Sequence, residues 1–156
     1  MTILSSIARS LIALAVLICI AVQPVQAADE VPDLAQYEGK VVIVDFWASW
    51  CVPCRRSFPW LNSMHEKYAE NGLVIIGVNL DQVRADADSF LTEFPASFRI
   101  YFDESKELAR EFDVVAMPSS YLLGRDGELR ERHYGFKVKK QDEYEAAIIA
   151  ALDNVE

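Results

Sequence analysis

Cys51 and Cys54, three residues apart, are the side chains best suited to covalent chemistry in this chain. Val52 and Pro53 stand between them, with Trp50 before and Arg55-Arg56 after. The apolar run Val41–Trp47 precedes the pair and reads as a buried strand. A segment with helical spacing follows it. The pair therefore falls where a strand ends and a helix begins. The first helical turn offers free backbone N–H groups and a partial positive charge, and both stabilise a thiolate. On this reading Cys51 is the exposed nucleophile that attacks a disulfide. Cys54, one turn deeper, attacks the mixed disulfide formed at Cys51. Pro53 suits a first helical turn, where its missing N–H costs nothing.

Other uses of such a pair fit less well. A zinc site needs four ligands, and outside the leader only His65 and His133 remain, without knuckle spacing. A haem attachment site needs a histidine where Arg55 stands. A purely structural disulfide across so short a loop gains little from closure. No metal and no cofactor is expected.

The run Val44-Asp45-Phe46-Trp47-Ala48-Ser49-Trp50-Cys51-Val52-Pro53-Cys54, with Met117-Pro118 later, resembles the thioredoxin family. It is most similar to the TlpA/ResA-type branch of exported thiol–disulfide oxidoreductases, over nearly all of the chain after the leader. The resemblance implies an α/β thioredoxin fold: a central mixed sheet flanked by helices, with an inserted helix–strand element. It also gives Asp45, six residues before the first cysteine, a role as proton acceptor for Cys54. A lone acid in an apolar strand is otherwise costly, and burial raises its pKa toward a working pH. The resemblance implies a cis Met117–Pro118 bond beside the cysteines. There the Met117 backbone can bond an extended substrate while its side chain touches the partner. Trp50, Met117 and Pro118 form the expected substrate-binding set, and Trp47 and Trp50 wall the site.

The expected activity is reduction of protein disulfides by a monomer, re-reduced by a membrane electron donor of the thiol-relay type. Val52-Pro53 lacks the histidine that a strongly oxidising site can use, which favours the reducing direction. Cytochrome c maturation is the cellular setting the resemblance suggests. Ser57 departs from the acid that some apocytochrome-reducing members carry at this position. Two alternatives stand beside this reading. A thiol peroxidase of the same fold wants Thr where Ala48 stands. A copper-carrying dithiol wants three residues between its cysteines, and here there are two.

These side chains need elements to position them. Residues 1–28 carry one charge, Arg9, then the uncharged run Leu11–Val22 and a small-residue site at Ala27-Ala28. This pattern reads as a signal peptide, too short in its apolar part to span a bilayer comfortably. It points to the periplasm, where a free dithiol needs a donor of electrons. Residues 29–156 then form one domain. Losing Arg9 leaves that domain one unit more negative than the −9 of the whole chain, which argues against a nucleic-acid partner.

In that domain helix one is expected from Val52 to Asn71, with Phe58, Leu61, His65 and Tyr68 on one stripe and Pro59 kinking it. A second strand spans Leu73–Leu80. A short helix is expected from Asp88 to Phe94, then a strand Phe98–Phe102 and a helix Ser105–Phe112. Ser120–Leu123 is the next strand. Gly124–Gly127 is a hairpin turn and Leu129–Tyr134 a charged edge strand. The closing helix, Gln141–Leu152, turns Tyr144, Ala147, Ile148, Ala151 and Leu152 inward. Lys137–Lys140 reads as solvated surface.

Overall fold

Val41–Trp47 (β1) is buried at all seven positions because strands cover both of its edges and helices both of its faces. The computed structural model describes residues 32–154. The proposed leader lies outside the described residues. β1 pairs in parallel with β2 (Leu73–Asn79) and antiparallel with β4 (Ser119–Leu123). β3 (Arg99–Phe102) extends the sheet beyond β2, and β5 (Leu129–Tyr134) beyond β4, giving the order β3-β2-β1-β4-β5. The mixed sheet and its flanking helices are those expected of a thioredoxin fold. The inserted helix–strand lies mid-chain in sequence but at the edge of the sheet. The charged strand β5 is the other edge, where its polar side chains meet water.

The strand period of two divides the core. Val41, Ile43 and Trp47 pack with α1 (Cys54–Tyr68), α2 (Arg84–Glu93) and α4 (Gln141–Asp153). Val42, Val44 and Phe46 pack on the other face with Leu108 of the short α3 (Glu107–Glu111). Phe46 rests against Phe112 and Tyr121 there. Trp47 lies against Phe58 and Phe90. Gly77 makes room for it: a Cβ at that position would meet the Trp47 Nε1 at 3.3 Å and Ile100 Cδ1 at 2.8 Å.

Several boundaries differ from those expected. The first helix runs from Cys54 to Tyr68, not from Val52 to Asn71: Pro53 is the residue at its N-terminal boundary, and residues 69–72 form the turn that follows it. Its buried stripe is Cys54, Ser57, Phe58, Leu61 and Met64. His65 and Tyr68 lie at the margin, one step around from that stripe. The second helix starts at Arg84, so Asp88 sits mid-helix beside Arg84 at 3.3 Å rather than capping it. The third strand begins at Arg99, and the helix expected over Ser105–Phe112 contracts to Glu107–Glu111. Asp103 accounts for this start by accepting the amide protons of Glu107 and Ala109 at 3.0 and 2.9 Å. Among the described residues no helix is long and apolar enough to cross a membrane.

The end of the sheet remote from the cysteines is fastened by one side chain. Arg125, in the β4–β5 turn, donates to the carbonyls of Gly39 (2.8 Å), Asn71 (3.2 Å) and Leu152 (3.1 Å). It thus joins the start of β1 to the C-terminal ends of α1 and α4, where a cation is favoured. Arg125→Ala is expected to cost about 2 kcal/mol in urea unfolding. Arg125→Lys should recover only part of it, because an ammonium cannot reproduce the guanidinium fork.

Candidate active site

The chain leaves β1 at Trp47 and reaches α1 at Cys54 through a loop held at several points. Ser49 donates its amide and hydroxyl to the Asp81 carboxylate, at 2.8 and 2.9 Å. Asn79 donates to the same carboxylate at 2.8 Å. The Leu80 amide donates to the Trp47 carbonyl at 2.9 Å and the Cys51 amide to Ala48 at 3.0 Å. Cys51 is thereby set just ahead of the helix. Its sulfur is bonded to that of Cys54, with the Cα atoms 5.3 Å apart. The Cys54 amide, at the start of α1, donates to Cys51 Sγ at 3.3 Å.

Cys51 does not have the exposure expected of it. In this oxidised state it is 3 % exposed, and Cys54 is fully buried. Both sulfurs of the disulfide belong to the core cluster with Phe58 and Leu61. The surface beside them is apolar: Trp50 is 65 % exposed, Val52 59 % and Val115 70 %. Met117 is half-buried and packs against the same cluster. The Met117–Pro118 bond is cis, as the resemblance implies. The Pro118 carbonyl accepts from the Gly135 amide at 2.7 Å, and the buried Ser119 hydroxyl donates to Ala116 at 2.6 Å. Trp47, by contrast, is wholly internal, so its part is packing rather than a wall at the surface.

Asp45 is completely buried. It shares the face of β1 that carries Ile43 and Trp47, the face on which Cys54 packs. Its register neighbours are Gly77 on β2, which has no side chain, and Ser120 on β4. The Ser120 hydroxyl donates to Asp45 Oδ1. Oδ2 is buried and, among the described residues, has no hydrogen-bond partner. Burial pushes the Asp45 carboxyl up to about 7, against the smaller downward pull of the Ser120 hydrogen bond. Ser49, Asp81 and Ser120 were not singled out in the sequence. Ser49 and Asp81 lie 32 positions apart, and Ser120 meets Asp45 only through the strand register.

The Redoxin family model matches residues 22–148. The chain belongs to the Redoxin family. Thiol-disulfide oxidoreductase ResA of Bacillus thuringiensis subsp. konkukian is 30% identical over 113 residues, covering 72% of this chain and 65% of that relative. The chain thus spans a little under two thirds of that relative's length. A Chlorobium tepidum structure described as a thiol:disulfide interchange protein, DsbE, is 44% identical. It superposes with a TM-score of 0.74 over 76% of this chain and 84% of that one. StoA from Bacillus subtilis is 26% identical, with a TM-score of 0.62 over 70% of this chain and 83% of that one. Among the described residues no three His, Cys, Asp or Glu side chains are grouped to hold a metal ion.

The buried carboxyl carries a stability consequence with a definite sign. The folded state holds the Asp45 proton up to about pH 7, whereas the unfolded chain releases it near the ordinary aspartate value of 3.8. Between those values the native state binds more protons, so stability falls as pH rises and levels off above 7. The full difference is of the order of 4 kcal/mol. Urea unfolding of the oxidised protein is expected to show this decline. Asp45→Asn should flatten it and be the more stable protein at pH 8.

Proposed function

We propose that this protein is an exported thiol–disulfide oxidoreductase that reduces protein disulfides through Cys51 and Cys54. The observation that carries the reading is the disulfide at the head of α1, on the face of the sheet that holds a buried, proton-retaining Asp45. The names of the ResA and DsbE relatives support the reaction class.

In the reduced protein the Cys51 thiolate attacks one sulfur of the substrate disulfide. The other substrate sulfur leaves as a thiolate that takes a proton from water, and a mixed disulfide forms at Cys51. The Cys54 thiol then gives its proton to the ionised Asp45 at Oδ2, the oxygen that Ser120 leaves free. The Cys54 sulfur attacks Cys51, expels the second substrate sulfur as a thiolate that takes up a proton in turn, and closes the Cys51–Cys54 disulfide. The substrate has gained two electrons and the enzyme has lost them, so a dithiol donor must restore it. Trp50, Met117 and Pro118 line the edge where the substrate strand docks. Residues 1–28 serve as the export signal to the periplasm, and a membrane thiol relay is the donor class. A role in cytochrome c maturation is the most specific form of this reading, with Ser57 in place of an acid as its weak point.

Two experiments test it. Cys54→Ser is expected to accumulate mixed disulfides with protein substrates at Cys51, while Cys51→Ser accumulates none. No adduct with either variant would contradict the reading. For the proton step, Cys51 is capped with a chromophoric aryl thiol and its release by Cys54 is timed. Release should accelerate as pH rises through about 7, as Asp45 ionises. Asp45→Asn should lose that limb and slow release roughly 100-fold at pH 8. Ser120→Ala should move the limb to higher pH, since the hydroxyl favours the ionised carboxyl.

A further inference from the structure

The acidic chain places unpaired cations beside its redox pair. Arg56, in the first turn of α1, is exposed and, among the described residues, in no ion pair. Side chains on a helix lean toward its N-terminus, so Arg56 covers surface on the side of Cys51. Four residues on, Trp60 lies on the same face of α1. Its ring meets Phe136 at 5.7 Å. Phe136 opens the segment Lys137-Val138-Lys139-Lys140. That segment is fastened beside the cis proline by the Gly135 amide on the Pro118 carbonyl. Lys137 follows two residues after Gly135, within about 8 Å of chain. Lys137 and Lys139 are exposed and likewise unpaired among the described residues, and Val138 is exposed between them.

The neighbouring acids are largely occupied. Lys140 takes Glu143 at 2.6 Å, and Lys67 takes Glu145 at 3.1 Å. Asp142 is the acid of the first turn of α4 left without a partner among the described residues. Arg55, next to Arg56, holds its guanidinium over the Phe94 ring at 5.8 Å. The Trp60–Phe136 contact and the Gly135–Pro118 bond thus bring Arg56 of α1 and the exposed Lys137 and Lys139 to one side of the cis proline, a basic rim in a molecule whose net charge is −9.

We propose that Arg56, Lys137 and Lys139 select polypeptide partners whose cysteines are flanked by acidic residues. This rests on the reading that a polypeptide disulfide meets Cys51 at this end of the sheet. The rim adjoins the docking edge at Pro118, so an extended partner bonded there passes over it. Screening confines the effect to charges within about 10 Å, so the local cations act on the docked segment despite the negative charge elsewhere.

The test uses the reduced full-length mature protein and two cystine peptides, identical except for two Glu or two Lys beside each cysteine. An uncharged small disulfide serves as reference. At about 0.1 M salt the acidic peptide is expected to react about 5-fold faster than the basic one, and the ratio should approach unity at about 1 M. The triple variant Arg56→Glu, Lys137→Glu, Lys139→Glu should invert the ratio. Lys137→Glu with Lys139→Glu alone should lower it while leaving the rate on the uncharged disulfide unchanged. Equal rates for the two peptides at low salt, or a ratio untouched by the triple variant, would overturn the proposal. So would a triple variant that loses binding to anionic phosphatidylglycerol vesicles yet keeps the peptide ratio, which would make the rim a lipid contact. Failure of the wild type on the uncharged disulfide would instead sink the underlying oxidoreductase reading.

Discussion

The contact between the Cys54 amide and the Cys51 sulfur depends on how a strand hands the chain to a helix. β1 ends at Trp47 and α1 begins at Cys54, so the loop between them is too short to wander. Every restraint on that loop keeps Cys51 ahead of the helix, whose first amide donates to both the carbonyl and the sulfur of Cys51. Asp81, just past the end of β2, does this by accepting from Ser49 and Asn79. The fully buried β1 fixes the direction from which the loop departs. Packing of Phe58 and Leu61 into the core fixes the axis of α1 and so the aim of its first amide. A rigid scaffold thereby supports a reactive loop at its rim.

The second constraint is the setting of Asp45. The fold places a carboxyl in its most buried strand and gives it one hydroxyl partner. On one side the register offers Gly77, whose missing side chain makes room for Trp47. On the other it offers Ser120. Among the described residues no cation neutralises the group, so desolvation dominates and the carboxyl holds its proton to about neutral pH. The fold is less stable for it at alkaline pH. In return a group able to take or give a proton near pH 7 sits on the face where Cys54 packs.

Much of this was legible in the sequence because it is written in short-range patterns. The apolar run 41–47, the cysteine pair, the Gly-Arg-Asp-Gly turn and the charged edge strand each declare themselves within a few residues. The cis bond at Met117–Pro118 came from resemblance, since a lone Met-Pro has no local signature for it. Long-range partners were hidden. Nothing near Ser120 says that it opposes Asp45, because register is set by the whole antiparallel pair. Nothing beside Asp81 in the chain marks it as the acid that holds the loop before Cys51, 32 positions away from Ser49. The start of α3 differs where a side chain outweighs propensity, since Asp103 accepts its first amides. The expected exposure of Cys51 is not met: in the disulfide its sulfur lies in the core cluster with Phe58 and Leu61, a burial that a position ahead of a helix does not announce.

The central claim is that the head of α1 makes the Cys51 thiol ionise easily once the disulfide opens. The most direct measurement is the rate of Cys51 alkylation by iodoacetamide against pH, for the reduced native protein and for the same protein in concentrated urea. The account predicts a native midpoint well below the roughly 8.5 of a free cysteine, with the urea midpoint at that ordinary value. Coincident midpoints in the two states would contradict it.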